Sequence, residues 1–546
     1  MNLLFSGLFF SVFFLLGRGF VLITKLNKDR PVSTFEIFDT KLSIFFPILG
    51  MFLLGNFIFI LNFFISIDTW LVLLFLFIAL LFNFIEKISI KEITSSIIFL
   101  VIHLIISISA YSANFQYDFG YYHLNYQGWI RSEKIVIGLG NIFSPLGLSS
   151  MSDYIASAFW LNDNFILLHQ TSIIFISTFM MFLYHHVKDT KNSFLFSSSL
   201  FLILYTLLDN IGINGGLNGF IQISGVVKPD QAFAVLFFFF SIFFLVTLKK
   251  NEFKETEMFF LSLILLLSYQ YRVISAILIF PFFIYIYINK ENISVYFLKR
   301  ISMTATLFIV WMFKSLLLTS CFIFPISSTC LDTGWGNTQT ANSFSTQTRL
   351  FNNAYTTSNN FIDWFNDWLV SNNNLTVLSN FVFSFFFIYI IKIFLYKKIN
   401  ILPINTNIKI YTTYTVIAYL LVWLLGAPHP RFLYGAFLFI IGLIALNIES
   451  YTLRKFFWNK YTSFSITIIF FIACSLIPRI SSYQAFIENP ANFNKLKAIE
   501  LNYENDESGW QYPLIGDQCW LNIDCIPSRV SVTRETNRLG YIVFRR

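Results

Sequence analysis

The chain reads as an all-α polytopic membrane protein with about fourteen transmembrane helices. Three observations predict this. Of its 546 residues, 56% are hydrophobic and only 12% charged, about half the charged share of an ordinary soluble domain. Apolar runs close to the roughly 20 residues needed to cross a bilayer recur along it. The short loops between them are basic at every second position, as loops on the two sides of a membrane are.

The first run, 3 to 23, lacks a basic leader and a small-residue cleavage site, so it is read as a spanning helix rather than a removable signal peptide. Further runs lie near 42 to 66, 69 to 85, 94 to 112, 165 to 184, 194 to 208, 231 to 248, 257 to 270, 273 to 288, 301 to 319, 377 to 395, 409 to 426, 432 to 448 and 462 to 478. Basic clusters follow the odd-numbered runs: Lys25, Lys28 and Arg30; Lys87 and Lys91; Lys188 and Lys191; Lys249, Lys250 and Lys254; Lys290, Lys299 and Arg300; Lys397 and Lys398; Arg454, Lys455 and Lys460. These loops are cytoplasmic by the positive-inside rule. Both termini and the segments 113 to 164, 209 to 230, 320 to 376 and 479 to 546 are therefore expected outside, with 1 to 478 as the transmembrane domain and 479 to 546 as an external segment.

Cysteine placement is an independent check. Cys321 and Cys330, and Cys519 and Cys525, form two close pairs in segments assigned to the outside, where disulfides persist. Spacing alone does not fix connectivity. No His lies near either pair to suggest zinc, and Cys474 reads as a small packing residue. The net charge of +8 is scattered in loops, not gathered on the continuous basic face a nucleic-acid partner requires. The 71 Phe residues fit an AT-rich coding sequence and carry no functional weight.

Charges in spanning segments cost about 2.5–3.5 kcal/mol each on insertion scales, so they are usually paired or functional. The candidates share one depth. Asp118 follows the fourth run, Lys228 and Asp230 open the seventh, and Arg272 separates the eighth from the ninth. Lys314 lies in the outer half of the tenth, and His429 and Arg431 stand in the turn before the thirteenth. This predicts a cavity at the outer surface holding an acid and several bases. Plainer roles compete: Arg272, Arg431 and Lys314 suit headgroup snorkelling, and Lys228 and Asp230, flanking Pro229, suit a helix start. His103 and His169 read as packing residues, and His185 and His186 fall on the cytoplasmic side. No close set of three or four ligands forms a metal cage, although one carboxylate with substrate phosphates is able to hold Mg²⁺ or Mn²⁺.

The first long polar interruption, Asn114 to Asp153, concentrates these features. A helix from Tyr117 places Asp118 on one face with Tyr121 and Tyr122, and His123 round the corner. Trp129, Ile130, Ile135 and Ile137 then form an apolar side for the headgroup layer, with Arg131 and Lys134 reaching lipid phosphates. An Asp capping a surface helix within an aromatic belt is the competing reading.

Tyr117-Asp118 through His123, Trp129, Gly138-Leu139-Gly140-Asn141, Gly147 and Ser149-Ser150 resemble the GT-C class of membrane glycosyltransferases, closest to a group of bacterial multi-spanning proteins. Pro229-Asp230, Lys314-Ser315 leading to Cys321 and Pro325, Pro428 to Phe432, and Gln518-Cys519-Trp520 are similar too. The acid here follows the fourth run, where the class commonly has it after the first. The paired Asp-x-Asp or Glu-x-Asp signature of metal-dependent members is missing. The resemblance implies a GT-C-like fold in the cytoplasmic membrane with amphipathic helices in the first large external loop. It implies a polyprenyl phosphate- or diphosphate-linked sugar donor, a glycan or glycolipid acceptor and a role in cell-surface glycan assembly.

On that reading Arg272, Arg431 and Lys314 hold the donor phosphate. Asp118 accepts the acceptor's proton, with His123 orienting it or sharing the proton. Tyr121, Tyr122 and Trp335 stack on sugar faces. Trp364 and Trp368 suit carbohydrate recognition as well as they suit an ordinary loop, and the tail around Trp510, Tyr512 and Trp520 reads as a small strand-containing lid. An O-antigen or capsule polymerase fits the same features. A lipid-linked oligosaccharide flippase fits less well, because such a protein carries internal repeats and midplane charges.

Overall fold

The Pro229–Lys250 helix shows why the chain folds around its own apolar segments. Pro fits the first helical position, Asp230 complements the N-terminal dipole and Lys249 and Lys250 the C-terminal one. Every residue between Pro229 and Leu248 is buried, so this helix is the hub rather than a lipid-facing wall. Its Phe side chains fill the interior: Phe239 stacks on Phe243, Phe38 stacks on Phe243 with centroids 4.7 Å apart, and Phe182 meets Phe239 edge-on at 5.3 Å. The Phe content therefore has a packing role that composition did not reveal.

The computed structural model of the protein describes residues 2–26, 31–111, 115–160, 165–188, 192–211, 229–336, 338–350, 360–371, 374–396, 405–448, 480–489, 498–506 and 509–545. Among them, eight helices are long and apolar enough to cross a membrane: Leu3–Thr24, Leu42–Asn62, Glu92–Ser109, Leu167–Lys188, Pro229–Lys250, Val295–Thr319, Asn374–Phe394 and Thr406–Gly426. Shorter apolar helices cover Thr69–Ile85, Ser193–Asp209, Val273–Ile288 and Pro430–Leu443. The helix Glu255–Tyr271 stands where the run at 257 to 270 was expected. The run at 462 to 478 lies outside the described residues.

The two ends of the bundle differ in chemistry. At one end the loops expected to be cytoplasmic meet one another. Lys250 pairs with Asp39 at 2.7 Å, Asn192 donates to Asp39 at 2.8 Å, and Arg300 donates to the carbonyls of Thr24 and Lys25. The buried Arg18 pairs with Glu92 at 3.1 Å and donates to the Glu86 carbonyl at 3.0 Å. At the other end the segments 62–69, 115–160, 271–275, 314–336, 427–434 and the C-terminal tail converge, joined for example by Ile135 N to Asn62 O at 2.7 Å and Gly138 N to Leu317 O at 2.8 Å.

One expectation is overturned here. Trp129, Ile130 and Ile135 are buried within the protein, not laid on a headgroup layer. Ile130 and Ile135 are held against the end of the second helix, through Ile67 N to Ile130 O at 3.1 Å and Ile135 N to Asn62 O at 2.7 Å, and Trp129 meets Phe544 of the tail edge-on at 5.8 Å. Strand Ile542–Arg545, paired with Thr533–Thr536, brackets Ile137 with hydrogen bonds of 2.9 Å from Ile137 N to Ile542 O and from Phe544 N to Ile137 O. Arg131 is held by the Ser157 carbonyl at 2.7 Å and Thr69 Oγ1 at 3.1 Å, and Lys134 by the Leu539 carbonyl at 2.6 Å. The helix with an exposed apolar strip is instead Phe361–Val370. Trp364 and Trp368 turn inward, Phe361, Ile362 and Phe365 stay exposed, and Asp363 and Asp367 occupy the opposite face.

The first two spanning helices cross at glycines. A Cβ on Gly17 would lie 1.8 Å from the Phe46 carbonyl oxygen, and one on Gly50 2.2 Å from that of Phe13, so only a hydrogen lets the backbones meet. Gly17→Ala is expected to cost about 1–3 kcal/mol through overpacking, read as a lower melting temperature of the purified protein. Gly7→Ala, whose Cβ would stand 3.8 Å from Leu100 and Leu104, leaves that temperature unchanged.

Candidate functional site

Four residues far apart in sequence meet at the end of the bundle that carries the tail. Asp118 stands just before a π-helical turn over Phe119–His123, a form of helix frequent at functional sites. Asp230 lies in the first turn of the hub helix. Arg272 is the extended residue that ends Glu255–Tyr271. Arg431 belongs to the 3₁₀ turn Pro430–Leu433, where His429 caps by accepting from the Arg431 amide at 3.2 Å.

The four form an alternating ionic chain. Arg272 Nη2 donates to Asp230 Oδ1 at 2.5 Å, Arg431 Nε lies 3.6 Å from Asp230 Oδ2, and Arg431 Nη1 reaches Asp118 Oδ2 at 3.4 Å. Both guanidinium groups lie over the Phe432 ring, at 4.9 and 5.0 Å, a contact that favours cations. The Asp230 side chain is 7% exposed, whereas Asp118 and Arg431 are 32% and 34% exposed. The chain is thus anchored inside and open at its Asp118 end. The Nε atoms of Arg272 and Arg431 are buried and make no hydrogen bond, that of Arg431 standing at ion-pair distance from Asp230.

A second polar cluster lies behind the first. His123 Nδ1 is 2.9 Å from Asp153 Oδ1, which also accepts from Gln127 Nε2 at 3.2 Å, while Asp153 Oδ2 accepts from the Ser150 amide at 3.3 Å. Lys314 is buried, hydrogen-bonded to Ser149 and seated 3.4 Å above the Trp311 ring. Tyr122 stands between the clusters. Its ring lies 4.2 Å from His123, and burial together with the nearby Asp118 carboxylate pushes its phenol above the ordinary range, against the pull of Arg272 and Arg431.

The expected constellation is therefore brought together in part. Asp118, Asp230, Arg272 and Arg431 share one site. Lys314 departs from it, because its long stem carries the ammonium to Ser149 and Trp311 instead. His123 is engaged by Asp153 rather than Asp118. Sequence reasoning missed Asp153 and Ser149, although Ser150-x-x-Asp153 is a readable capping box, and it is formed. Tyr121 packs edge-on against Phe143 at 4.8 Å. Trp335 turns its indole to the Leu316 carbonyl at 3.5 Å and its own carbonyl accepts from Asn141. Trp368 donates to the Pro428 carbonyl at 2.5 Å, tying the Phe361–Val370 helix to the turn that bears Arg431. Lys228 lies outside the described residues. Both cysteine pairs, Cys321 with Cys330 and Cys519 with Cys525, are disulfides.

A divalent cation does not suit these residues. Asp118 and Asp230 already face guanidinium groups, and no group of three or more His, Cys, Asp or Glu able to hold a metal occurs among the described residues.

A family model described as a domain of unknown function, DUF8201, matches residues 1–439, and the chain belongs to that family. The match includes all four residues of the ionic chain and stops short of the tail. No curated protein and no solved structure matches the chain.

Removing the buried shared carboxylate leaves two partly exposed cations, Arg272 and Arg431, facing each other without a counter-charge. Asp230→Ala is therefore expected to destabilise by about 3 kcal/mol, the lower end for breaking a buried pair. Asp118→Asn, at the exposed end, costs less than about 1 kcal/mol. Thermal unfolding of the purified protein separates the two.

Proposed function

We propose that this DUF8201 member is a GT-C-like membrane glycosyltransferase with about fourteen spans. It moves a sugar from a polyprenyl-phosphate-linked donor to a glycan or glycolipid acceptor at the outer face of the cytoplasmic membrane. The observation that carries this reading is the meeting of Asp118, Asp230, Arg272 and Arg431, drawn from four distant segments to one end of a membrane bundle. The orientation is supported by two independent signs. Among the described residues, Lys250 and Arg300 bind the loop of Asp39 and Thr24 at the other end, and both disulfides lie in segments that the charge pattern assigns to the outside.

The donor phosphate lies against the partly exposed guanidinium groups of Arg272 and Arg431, which receive it. Taking up the phosphate draws Arg431 away from its 3.4 Å link to Asp118, and the freed carboxylate faces the acceptor. As the acceptor oxygen bonds to the anomeric carbon, its proton passes to Asp118. The bond from that carbon to the phosphate oxygen breaks, and the arginines hold the polyprenyl phosphate that leaves with the extra negative charge. No metal ion enters these steps. Asp230 keeps the two arginines together throughout.

Asp118→Asn is expected to keep the binding of a polyprenyl phosphate probe in lipid nanodiscs and to abolish sugar transfer. Arg272→Ala and Arg431→Ala weaken probe binding at least tenfold, the loss of a charge-assisted bond of about 1.5–3 kcal/mol. Transfer retained by Asp118→Asn removes this residue from the mechanism. Probe binding that ignores both arginine changes removes the phosphate role.

A further inference from the structure

The C-terminal tail touches the site at one place only among the contacts described, and that place flanks Asp118 on both sides. Before it, the Tyr117 hydroxyl donates to the Asp517 carboxylate, and Gln518 Nε2 donates to the Tyr117 carbonyl at 2.9 Å. After it, the Gly120 carbonyl, inside the π-helical turn, accepts from the amides of Cys519 at 3.1 Å and Trp520 at 3.0 Å. Farther along, Asn125 Nδ2 donates to the Asn522 carbonyl at 2.5 Å.

The fit is steric as well as polar. Trp520 is buried, with its ring 5.2 Å from that of Phe115 and 6.5 Å from that of Phe119. A Cβ on Gly120 would come within 2.6 Å of the Trp520 ring, so the absence of a side chain at 120 lets the indole seat. The disulfide Cys519–Cys525 closes the loop that presents these donors. Strand Gln511–Pro513 braces that loop through Gln511 N to Asp524 O at 3.0 Å and Ile526 N to Gln511 O at 2.9 Å. A π-turn is a rare form of helix, and this one is held from outside by a cross-linked loop.

We propose that Asp517–Trp520, closed by the Cys519–Cys525 disulfide, is a positioning clamp that holds Asp118 toward Arg431 by gripping the backbone at Tyr117 and Gly120. Its consequence for transfer rests on the function proposed above. Its structural part does not. The tail residues touch neither arginine; they act through the turn that bears the acid. Holding a reacting group in place is worth as much as the chemistry when a small displacement misaligns it.

The test uses the full chain in nanodiscs and three variants: Gly120→Ala, the double change Cys519→Ser with Cys525→Ser, and Asp517→Asn. Hydrogen exchange is followed for the Tyr117–His123 stretch and, as a distant reference, for Thr40–Phe45 at the other end of the bundle. The first two variants are expected to exchange at least tenfold faster at Tyr117–His123 with Thr40–Phe45 unchanged. Asp517→Asn, whose amide oxygen still accepts from Tyr117, exchanges like the parent. Transfer falls at least tenfold in the first two variants through kcat, with KM for the donor and binding of the polyprenyl phosphate probe unchanged. Unaltered exchange at Tyr117–His123 overturns the clamp, and so does an equal rise at Thr40–Phe45, which marks general loosening. Full kcat despite faster local exchange overturns its positioning role. Transfer by Asp118→Asn marks the separate failure of the base assignment, and exchange alone then decides the clamp.

Discussion

One carboxylate between two guanidinium groups is the constraint on which the site depends. Asp230 stands at the start of the hub helix, where Pro229 fixes the backbone and the helix dipole already favours an anion. Its two oxygens face Arg272, from the end of one helix, and Arg431, from a turn more than 150 residues later. Two arginines sharing one aromatic ring repel each other strongly in a medium of low dielectric. The carboxylate between them turns that repulsion into a bridge and fixes the relative position of three segments.

The links of this chain are unequal. The buried Asp230 to Arg272 contact is short, while the Arg431 to Asp118 contact at 3.4 Å is longer and half open to solvent. Buried pairs resist separation because each partner would be left uncompensated, and exposed pairs exchange at little cost. An incoming anion therefore disturbs the Asp118 end first and leaves the inner anchor in place. The proposed transfer, which binds a phosphate and then exposes a carboxylate, would draw on this asymmetry.

That Asp118, Asp230, Arg272 and Arg431 belong together was legible in the sequence as an expected common depth; their individual partners were not. Span boundaries locate a residue along the membrane normal, so Asp118, Asp230, Arg272 and Arg431 were assigned a common level from apolar runs and basic loops alone. Depth says nothing of direction round the helix axis. Lys314 stands at a compatible level yet turns to Trp311 and Ser149. The face carrying Trp129 and Ile130 looked like a membrane-lying surface because nothing local announces that Phe544, some 400 residues later, meets Trp129 and that the segment 62–67 bonds to Ile130. The Cys pairs were readable because each is local, and the bonds join residues nine and six positions apart. The Phe content was unreadable for the opposite reason, since Phe serves lipid and core equally and only packing tells them apart.

The carboxylates of the two polar clusters, Asp118, Asp230 and Asp153, are ranked by their hydrogen bonding. Asp153 accepts from His123, Gln127 and the Ser150 amide, so its lone pairs are largely occupied and its position is fixed by the helix it caps. Asp230 faces two arginines and is nearly closed to solvent. Asp118 has one long contact and an open side. A carboxylate that takes a proton from an incoming hydroxyl needs a free lone pair and a path to it. By that criterion the base of the proposed transfer is Asp118, with Asp230 as scaffold and Asp153 as the support for His123. The tail that grips the backbone beside Asp118 compensates for the freedom this exposure leaves.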